Sequence, residues 1–349
     1  MSRGGAISTI TVIGEVLVDL AVGQDWSCRA TPGGAPANVA VGLARLGQHV
    51  SLRARLSGDG LGLMLREHLV ASGVDVVDIV AAREPTTLAV AALDPGGQAR
   101  YDFRLWQTAD WMWREAELPP LPPQVAALYM GSLACALPPG AALIEGLARR
   151  TRAAGHAVIA YDPNLRPGAV PGAGDSADER ARVERQLQLA HLVKASADDI
   201  GLLYPGQPPA AVARHWIGLG ADLVVLTLGA AGALAVSRSG AEVSVPARIV
   251  TVQDTIGAGD AFSAGLLAAM AESGLLGGPG LARVREISPA VLSELLTRAS
   301  LVAALTCERA GADPPTKEEV ELRLDTAVAV DGSHARWASE GDGTLDEVR

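Results

Sequence analysis

The segment from Asp254 to Gly265 combines small residues with an acid immediately before an apolar run. Gly257, Ala258 and Gly259 precede Asp260, and the apolar residues that follow have helical spacing. A turn of small residues at a helix start leaves backbone N–H groups without partners, and the helix dipole adds positive potential there. This arrangement favours an anion such as phosphate. Asp260 would repel that anion unless it has another role, and the natural role is to accept a proton from a hydroxyl group that attacks phosphorus.

A second glycine-rich segment begins a predicted helix much earlier in the chain. Gly33 and Gly34 permit close approach of the backbone to a ligand, and Asn38 offers both a donor and an acceptor, which suits a polyol. The apolar spacing over residues 39–46 predicts a helix that stops at Gly47. Two glycines before a helix are common, so the weight of this segment comes from its combination with the segment around Asp260.

The two segments together resemble the signatures of the PfkB/ribokinase family of sugar and nucleoside kinases. The later segment meets every fixed position of the family pattern D-T-x-G-A-G-D-x-F, and the earlier one is similar to G-G-x-x-x-N. The resemblance implies an ATP-dependent kinase in which Asp260 is the base and Gly257, Ala258 and Gly259 surround the transferred phosphate. It also implies Mg²⁺ on the nucleotide, with K⁺ near Asp254 as a further expectation.

Other polar residues resemble the sugar-binding positions of bacterial fructokinases, to which the motifs are most similar. The run from Gly14 to Asp19 matches G-E-x-x-x-D, in which the Asp grips the sugar. The run from Asp162 to Arg166 matches D-P-N-x-R, a pattern shared with 2-keto-3-deoxygluconate kinase-like members. The residues alone leave solvated loops as the alternative. The resemblance assigns sugar binding to Asp19, Gly33, Gly34, Asn38, Arg104 and Arg166.

Candidate nucleotide-binding residues follow two later strands. Where the family has N-x-x-E, tied to Mg²⁺ and phosphate placement, this chain has Ser196 and Asp199, which keep oxygen ligands but shorten their reach. The metal role of Asp199 is therefore open, and a helix N-cap role for Ser196 is equally compatible. Residues 227–232 resemble T-x-G-x-x-G, although the residues alone predict an ordinary turn as readily. The resemblance assigns the nucleotide to Lys194, Ser196, Thr227, Gly229 and Gly232.

Strand-like apolar runs alternate with helical patterns along most of the chain, which predicts an α/β fold with a mostly parallel central sheet flanked by helices. The predicted strands are Ile7–Val12, Val50–Arg55, Leu88–Leu93, Ala127–Met130, Ala157–Tyr161, Leu192–Lys194, Leu223–Thr227 and Ala233–Val236. The predicted helices include Leu61–Ser72, Ala141–Ala154, Glu179–Leu189 and Ser300–Arg309. Residues 94–97 read as the turn of a hairpin that ends at Leu105.

The resemblance implies a ribokinase-like kinase domain over residues 1–326. A small β-sheet lid would come from about residues 15–34 and 86–113, and in the family such a lid often serves as a homodimer contact. The polar, Gly-rich residues 327–349 are expected to be partly disordered.

Composition excludes several other classes of protein. The net charge of −10 argues against nonspecific nucleic-acid binding. Cys28, Cys135 and Cys307 have neither metal-ligand spacing nor a disulfide pattern, so a reducing cytoplasm is the expected compartment. The longest uncharged run, residues 118–144, contains six prolines and does not predict a membrane span. A Walker A loop, protein-kinase motifs and a dinucleotide-binding G-x-G-x-x-G unit are absent from the sequence.

The motifs favour fructose as the sugar that accepts phosphate from ATP. The alternatives of the same fold are 2-keto-3-deoxygluconate, a nucleoside or another sugar. A different class is a catalytically idle sugar-binding or regulatory protein. The intact Asp260 and its glycine turn count against an idle protein, whereas the altered residues Ser196 and Asp199 count mildly for one.

Overall fold

The computed structural model describes residues 9–23, 25–93, 99–166, 169 and 176–324. The strands are β1 Thr9–Ile13, β2 Leu17–Val22, β3 Cys28–Gly33, β4 Val50–Arg53, β5 Arg55–Ser57, β6 Val80–Ala82, β7 Leu88–Leu93, β8 Ala99–Arg104, β9 Val125–Gly131, β10 Val158–Asp162, β11 Leu192–Ser196, β12 Leu223–Thr227, β13 Ala233–Ser237 and β14 Glu242–Val245. The α-helices are α1 Ala35–Arg45, α2 Gly60–Ala71, α3 Gly140–Ala154, α4 Ser176–Leu187, α5 Ala197–Leu203, α6 Pro209–Leu219, α7 Ala258–Glu272, α8 Gly277–Arg285 and α9 Pro289–Cys307.

The main sheet has eight strands in the order β14-β13-β12-β11-β10-β9-β1-β4. The six strands from β12 to β4 pair in parallel, and β13 and β14 add an antiparallel edge. Successive residues of β12 pack into two different hydrophobic clusters: Leu223 and Val225 in one, Val224 and Leu226 in the other. The strand is apolar throughout because both faces of the sheet are buried. The prediction of a mostly parallel sheet is confirmed.

Helices cover both faces of this sheet. Buried residues of α1, α2, α7, α8 and α9 belong to the first cluster, and those of α3, α4, α5 and α6 belong to the second. Helix α9 is long and apolar enough to pass for a membrane span by composition, but half of that stretch is buried inside the protein. Its buried Leu292, Leu295 and Leu296 lie in the same cluster as α7, as expected for a core helix.

A second sheet of four strands has the order β3-β2-β7-β8. Its strands come from the two ranges that the sequence assigns to a lid, and β2 and β7 join them in parallel. The predicted turn at 94–97 and the polar segment 327–349 lie outside the described residues. Of the tryptophans near this sheet, Trp111 and Trp113 are buried, whereas Trp26 and Trp106 are 85% and 84% exposed.

Predicted boundaries and observed boundaries differ most at α9. The helix begins at Pro289 rather than Ser300, and ends at Cys307 rather than Arg309. Ser288 caps its start by accepting a hydrogen bond from the Val291 amide, and Pro289 occupies the first helical turn. These two residues are a standard helix-start signal that the sequence analysis missed. Strands β7 and β12 have the predicted bounds.

Candidate active site

Several of the predicted site residues lie at one edge of the main sheet because parallel strands end on the same side. Asp162 is the last residue of β10, Ser196 the last of β11 and Thr227 the last of β12. Ser196 and Thr227 are paired in register. Glu15 follows the end of β1 at the same edge. Ligands of open α/β sheets bind at this edge.

The start of α7 has the geometry predicted for an anion site. Gly257 precedes the helix in the left-handed conformation, with φ 75°, and no side chain caps the helix start within the described residues. The first intrahelical bond there runs from the Ala261 amide to the Gly257 carbonyl. The amides of Gly259 and Asp260 thus lie at the helix start without a capping group. Hydrogen bonding to these amides and the helix dipole both favour an anion at this position.

Gly257→Ala should destabilise this turn. A Cβ at position 257 would lie 2.6 Å from the Ala312 Cβ and 2.9 Å from the Ala312 Cα, in a conformation that L residues rarely adopt. We expect a loss of about 1–3 kcal/mol in the free energy of unfolding, measured by chemical denaturation. The control is Gly218→Ala on the exposed face of α6, where a Cβ meets nothing within 4 Å. Equal stability of the two variants would contradict the requirement for glycine at 257.

Asp260 lies in the first turn of α7, with its side chain buried. Its Oδ2 accepts a hydrogen bond from Asn38 Nδ2 at 2.8 Å, and its Oδ1 accepts one from Asn164 Nδ2 at 3.4 Å. Burial raises the pKa of Asp260 to about 6, and the Asn38 hydrogen bond and the nearby Lys194 and Arg166 oppose that rise. A carboxylate with such a pKa is ionised near neutral pH and is still basic enough to accept a proton.

The predicted sugar residues Asp19, Gly33 and Gly34 lie together where β2 meets β3. The Asp19 carboxylate lies directly over Gly33, where a Cβ would come within 2.0 Å of Asp19 Oδ2. Gly34 has φ 104°, and a Cβ there would lie 2.5 Å from the Glu15 carbonyl oxygen. Close approach of the backbone therefore requires glycine at 34, whereas a side chain at 33 would displace the Asp19 carboxylate. Burial raises the pKa of Asp19, and the positive charge of Arg166 opposes the rise.

Arg166 acts electrostatically on both Asp19 and Asp260, so it links the predicted sugar and phosphate sites. Its side chain is exposed beyond the end of β10. Arg104, in contrast, ends β8 and pairs with Asp102 of the same strand. No described contact brings Arg104 to Asp260 or Asp19, and its side chain is exposed.

The Ser196–Asp199 segment forms a capping box at the start of α5. Asp199 Oδ2 accepts hydrogen bonds from the amide and hydroxyl of Ser196, and Asp199 Oδ1 accepts one from the Leu165 amide at 2.8 Å. The N-cap role considered for Ser196 is confirmed. Asp199 ties α5 to the loop that carries Asn164, which reduces its capacity to bind a metal.

The remaining predicted residues lie in turns. Thr227 Oγ1 donates to the Ala195 carbonyl at 3.4 Å. Gly229 and Gly232 both have positive φ, and a Cβ at Gly232 would lie 2.0 Å from the Val245 carbonyl oxygen. Asp254 accepts hydrogen bonds from the amides of Ile256 and Gly311, so it joins the segment before α7 to the segment after α9. Within the described residues, no group of three or more His, Cys, Asp or Glu could hold a metal.

The structure adds residues and contacts that the sequence analysis did not predict. Asn164 adopts a rare positive φ of 40° and donates to Asp260. Lys194, assigned to the nucleotide, pairs with the buried Asp162. Ser263 is buried, and its hydroxyl lies within hydrogen-bond distance of both Asp162 and the Gly259 carbonyl. A charged residue at the end of an otherwise apolar strand was the available signal for Lys194.

A buried carboxylate beside an open helix start, at the binding edge of an α/β sheet, is the arrangement expected in enzymes that transfer a phosphoryl group to an alcohol. The sequence model described as pfkB family carbohydrate kinase matches residues 8–319. The chain therefore belongs to the PfkB family of carbohydrate kinases.

Individual relatives agree with this assignment. A fructokinase from Rhizobium leguminosarum bv. trifolii is 37% identical over 244 residues, which cover 70% of this chain and 73% of the relative. An aminoimidazole riboside kinase from Salmonella typhimurium is 34% identical over 310 residues, which cover 88% of this chain and 91% of the relative. The crystal structure of a fructokinase from Xylella fastidiosa with bound ATP superposes with a TM-score of 0.83 at 28% identity, over 92% of this chain and 99% of that one. The expected ribokinase-like fold is thus confirmed.

Proposed function

We propose that this PfkB family kinase transfers the γ-phosphate of ATP to a hydroxymethyl group of fructose. The observation that carries the proposal is the buried Asp260 at the uncapped start of α7, held by two amide side chains and with a pKa of about 6. The similarity of the chain to fructokinases supports fructose as the acceptor. The fructokinase of similar fold that holds ATP supports ATP as the donor.

The geometry divides the reaction among few residues. Asp260 accepts the proton of the sugar hydroxyl while that oxygen forms a bond to the γ-phosphorus, and the bond from the γ-phosphorus to the β–γ bridging oxygen breaks to release ADP. The amides at the start of α7, beside Gly257 and Ala258, stabilise the negative charge on the transferred group. Asp19 and Asn38 orient the sugar, and Arg166 supplies positive charge between the two sites.

The residues at the site fit Mg²⁺ that is bound mainly by the nucleotide rather than an ion coordinated by several protein side chains. Within the described part of the chain no group of three or more His, Cys, Asp or Glu could hold a metal ion, and the Asp199 carboxylate already accepts three hydrogen bonds. Bound with ATP, Mg²⁺ would neutralise phosphate charge and take most of its ligands from phosphate and water. K⁺ beside Asp254 remains part of the proposal, because each Asp254 oxygen accepts one amide hydrogen bond and keeps further lone pairs.

The second sheet is proposed as the lid, since β2 and β3 carry Asp19 and Gly33 into the sugar site. Closure of a lid would exclude water, which otherwise wastes ATP by hydrolysis.

A homodimer through this sheet is also proposed, and the exposed Trp26 and Trp106 support it. Sedimentation equilibrium of the full chain would test the dimer, and a monomer at all concentrations would exclude it. The free Cys28, Cys135 and Cys307 support the proposed cytoplasmic location.

A competition among acceptors tests the substrate. With ATP and Mg²⁺ in excess, fructose, 2-keto-3-deoxygluconate and a nucleoside such as aminoimidazole riboside are compared by ADP release, and kcat/KM is measured for each. We expect fructose to exceed the others by roughly 10-fold or more, since a pocket built to hydrogen-bond one set of hydroxyls rejects a mismatched one.

Preference for the riboside would give the chain the activity of the aminoimidazole riboside kinase, which matches it over more residues than the fructokinase from Rhizobium does. Preference for the keto acid would identify a sugar acid, and not fructose, as the acceptor. Folded protein that binds ATP and a sugar but releases no ADP would favour the idle sugar-binding class. Reactions without any acceptor serve as the control for ATP hydrolysis.

A further inference from the structure

Lys194 occupies an unusual position for a lysine, since its side chain is only 7% exposed at the end of β11. Its Nζ donates to Asp162 Oδ2 at 3.0 Å. The same oxygen accepts hydrogen bonds from the Tyr129 hydroxyl at 3.3 Å and from Ser263 Oγ at 3.4 Å. The other oxygen of Asp162 has no hydrogen-bond partner among the described residues. Lys194 is therefore the direct counter-charge of a fully buried carboxylate.

This ion pair lies against the first turn of α7. A Cβ at Gly259 would lie 3.2 Å from Lys194 Nζ, so the absence of a side chain at 259 leaves room for the ammonium group. The hydroxyl of Ser263, one turn further along α7, lies within hydrogen-bond distance of both the Gly259 carbonyl and Asp162, to either of which it can donate its one proton. The pair is thus fixed to the same helical turn that carries Asp260.

We propose that Lys194 and Asp162 form a positioning pair, in which Asp162 holds the Lys194 ammonium group against the start of α7 so that its charge keeps Asp260 ionised. The inference rests on the proposed function, because it gives Asp260 the role of base. It assigns Lys194 a place beneath the phosphate site and not among the side chains that reach the nucleotide directly.

The charged surroundings of Asp260 fit this role. Lys194 and Arg166 lower the pKa of Asp260. Asp162 raises it, but the effect of Asp162 is smaller than that of Lys194. Tyr129 of β9 presents a hydroxyl whose own pKa is raised by burial and by Asp162 and Asp260. From α1 the contact is the neutral Asn38 amide, and from α9 the charged Arg298 pairs with Glu272 at the far end of α7.

Asp162 is needed to keep Lys194 charged. Burial alone would lower the pKa of Lys194, but Asp162, Asp199 and Asp260 together raise it above its ordinary value. Asp162 therefore has two opposite effects on Asp260: it weakens the positive potential directly, and it secures the lysine that supplies that potential. Because Lys194 acts on Asp260 more strongly than Asp162 does, loss of the lysine charge should outweigh loss of the Asp162 charge. Changes at both positions should consequently raise the pKa of Asp260.

The test is the acid limb of the pH profile of kcat/KM for fructose. A base must be deprotonated to act, so wild-type activity should fall as the pH drops through about 6. Lys194→Met should move this limb to higher pH by roughly one unit, since an opposite charge close to a carboxylate lowers its pKa by about that much or more. Asp162→Asn should also move it to higher pH, but by less, because the lysine charge that Asp162 secures is lost together with the carboxylate charge. A shift to lower pH would show that Asp162 acts only through its own negative charge and would overturn the positioning role. Lys194→Arg keeps the charge and should leave the limb in place.

Lys194→Met leaves Asp162 buried without a counter-charge and is the variant at greatest risk of not folding. The double variant Lys194→Met with Asp162→Asn removes both charges, and its limb should coincide with that of Asp162→Asn, in which the lysine charge is already lost. Lys317→Met, which changes the other lysine of the chain at the protein surface, is the matched control and should leave the limb unchanged. Thermal melting identifies the variants that fold.

Carboxyl ¹³C NMR provides a readout that requires neither ATP nor sugar. The Asp260 resonance is identified by its loss in Asp260→Asn, and its titration midpoint should follow the same order as the acid limbs. Midpoints that coincide in every folded variant would overturn the positioning role. Shifted midpoints in a protein that proves inactive would instead reject the proposed function and leave the electrostatic inference standing.

Discussion

Asp260→Asn should lower kcat by roughly 10²–10⁴-fold, the usual contribution of a positioned general base. Asparagine has the size of aspartate and can still accept the hydrogen bond from Asn38 through its carbonyl oxygen, but it cannot take a proton from the sugar. The fold should tolerate the change, because Asp260 is buried and burial opposes its charged form. The variant should therefore bind ATP and fructose while turning over very slowly.

The measurement is kcat at saturating ATP and fructose, with ATP affinity from calorimetry and unfolding followed by circular dichroism. The control is Asp178→Asn, which neutralises an exposed acid in the first turn of another helix, α4. Near-wild-type turnover in Asp260→Asn would remove Asp260 from the role of base. Loss of turnover together with loss of ATP binding would instead indicate a collapsed anion site.

The parts of the site that are local in sequence could be predicted. The turn at Gly257 and the acid three residues later specify their own geometry, because a left-handed glycine before an apolar helix exposes amides whatever packs around it. The sheet was also predictable, since strands buried on both faces need continuous apolar runs. The ends of strands and helices were less predictable. The Ser288 cap that marks the start of α9 is present in the sequence, and the sequence analysis missed it.

The contacts between distant segments could not be predicted from patterns. Asp162 and Lys194 are separated by a helix and a strand boundary, and only the parallel pairing of β10 with β11 brings them together. Asp199 illustrates the same limit, because its spacing from Ser196 fits both a metal ligand and a capping box. The hydrogen bonds exchanged by Ser196 and Asp199 establish the capping box, and the metal role of Asp199 stays a prediction. Such choices depend on which backbone groups need partners once the fold is complete.

Asp19→Ala should raise the KM for fructose by roughly ten- to a hundredfold and leave the KM for ATP nearly unchanged. Asp19 lies over Gly33 in the second sheet, and its carboxylate has no described hydrogen-bond donor from the protein. A half-buried carboxylate in that position is available to sugar hydroxyls, and losing one hydrogen bond to a charged group costs about 1.5–3 kcal/mol. The predicted factor in KM follows from that energy.

Initial rates over a grid of fructose and ATP concentrations separate the two KM values. Asp25→Ala serves as the matched control, because Asp25 lies in the turn of the same hairpin and its side chain accepts hydrogen bonds from the amide and hydroxyl of Ser27. A rise in the KM for ATP without a rise in the KM for fructose would place Asp19 outside the sugar site. Equal increases in both would indicate that the variant has disturbed the second sheet as a whole, since β2 pairs with both β3 and β7 and its distortion would spread across the sheet.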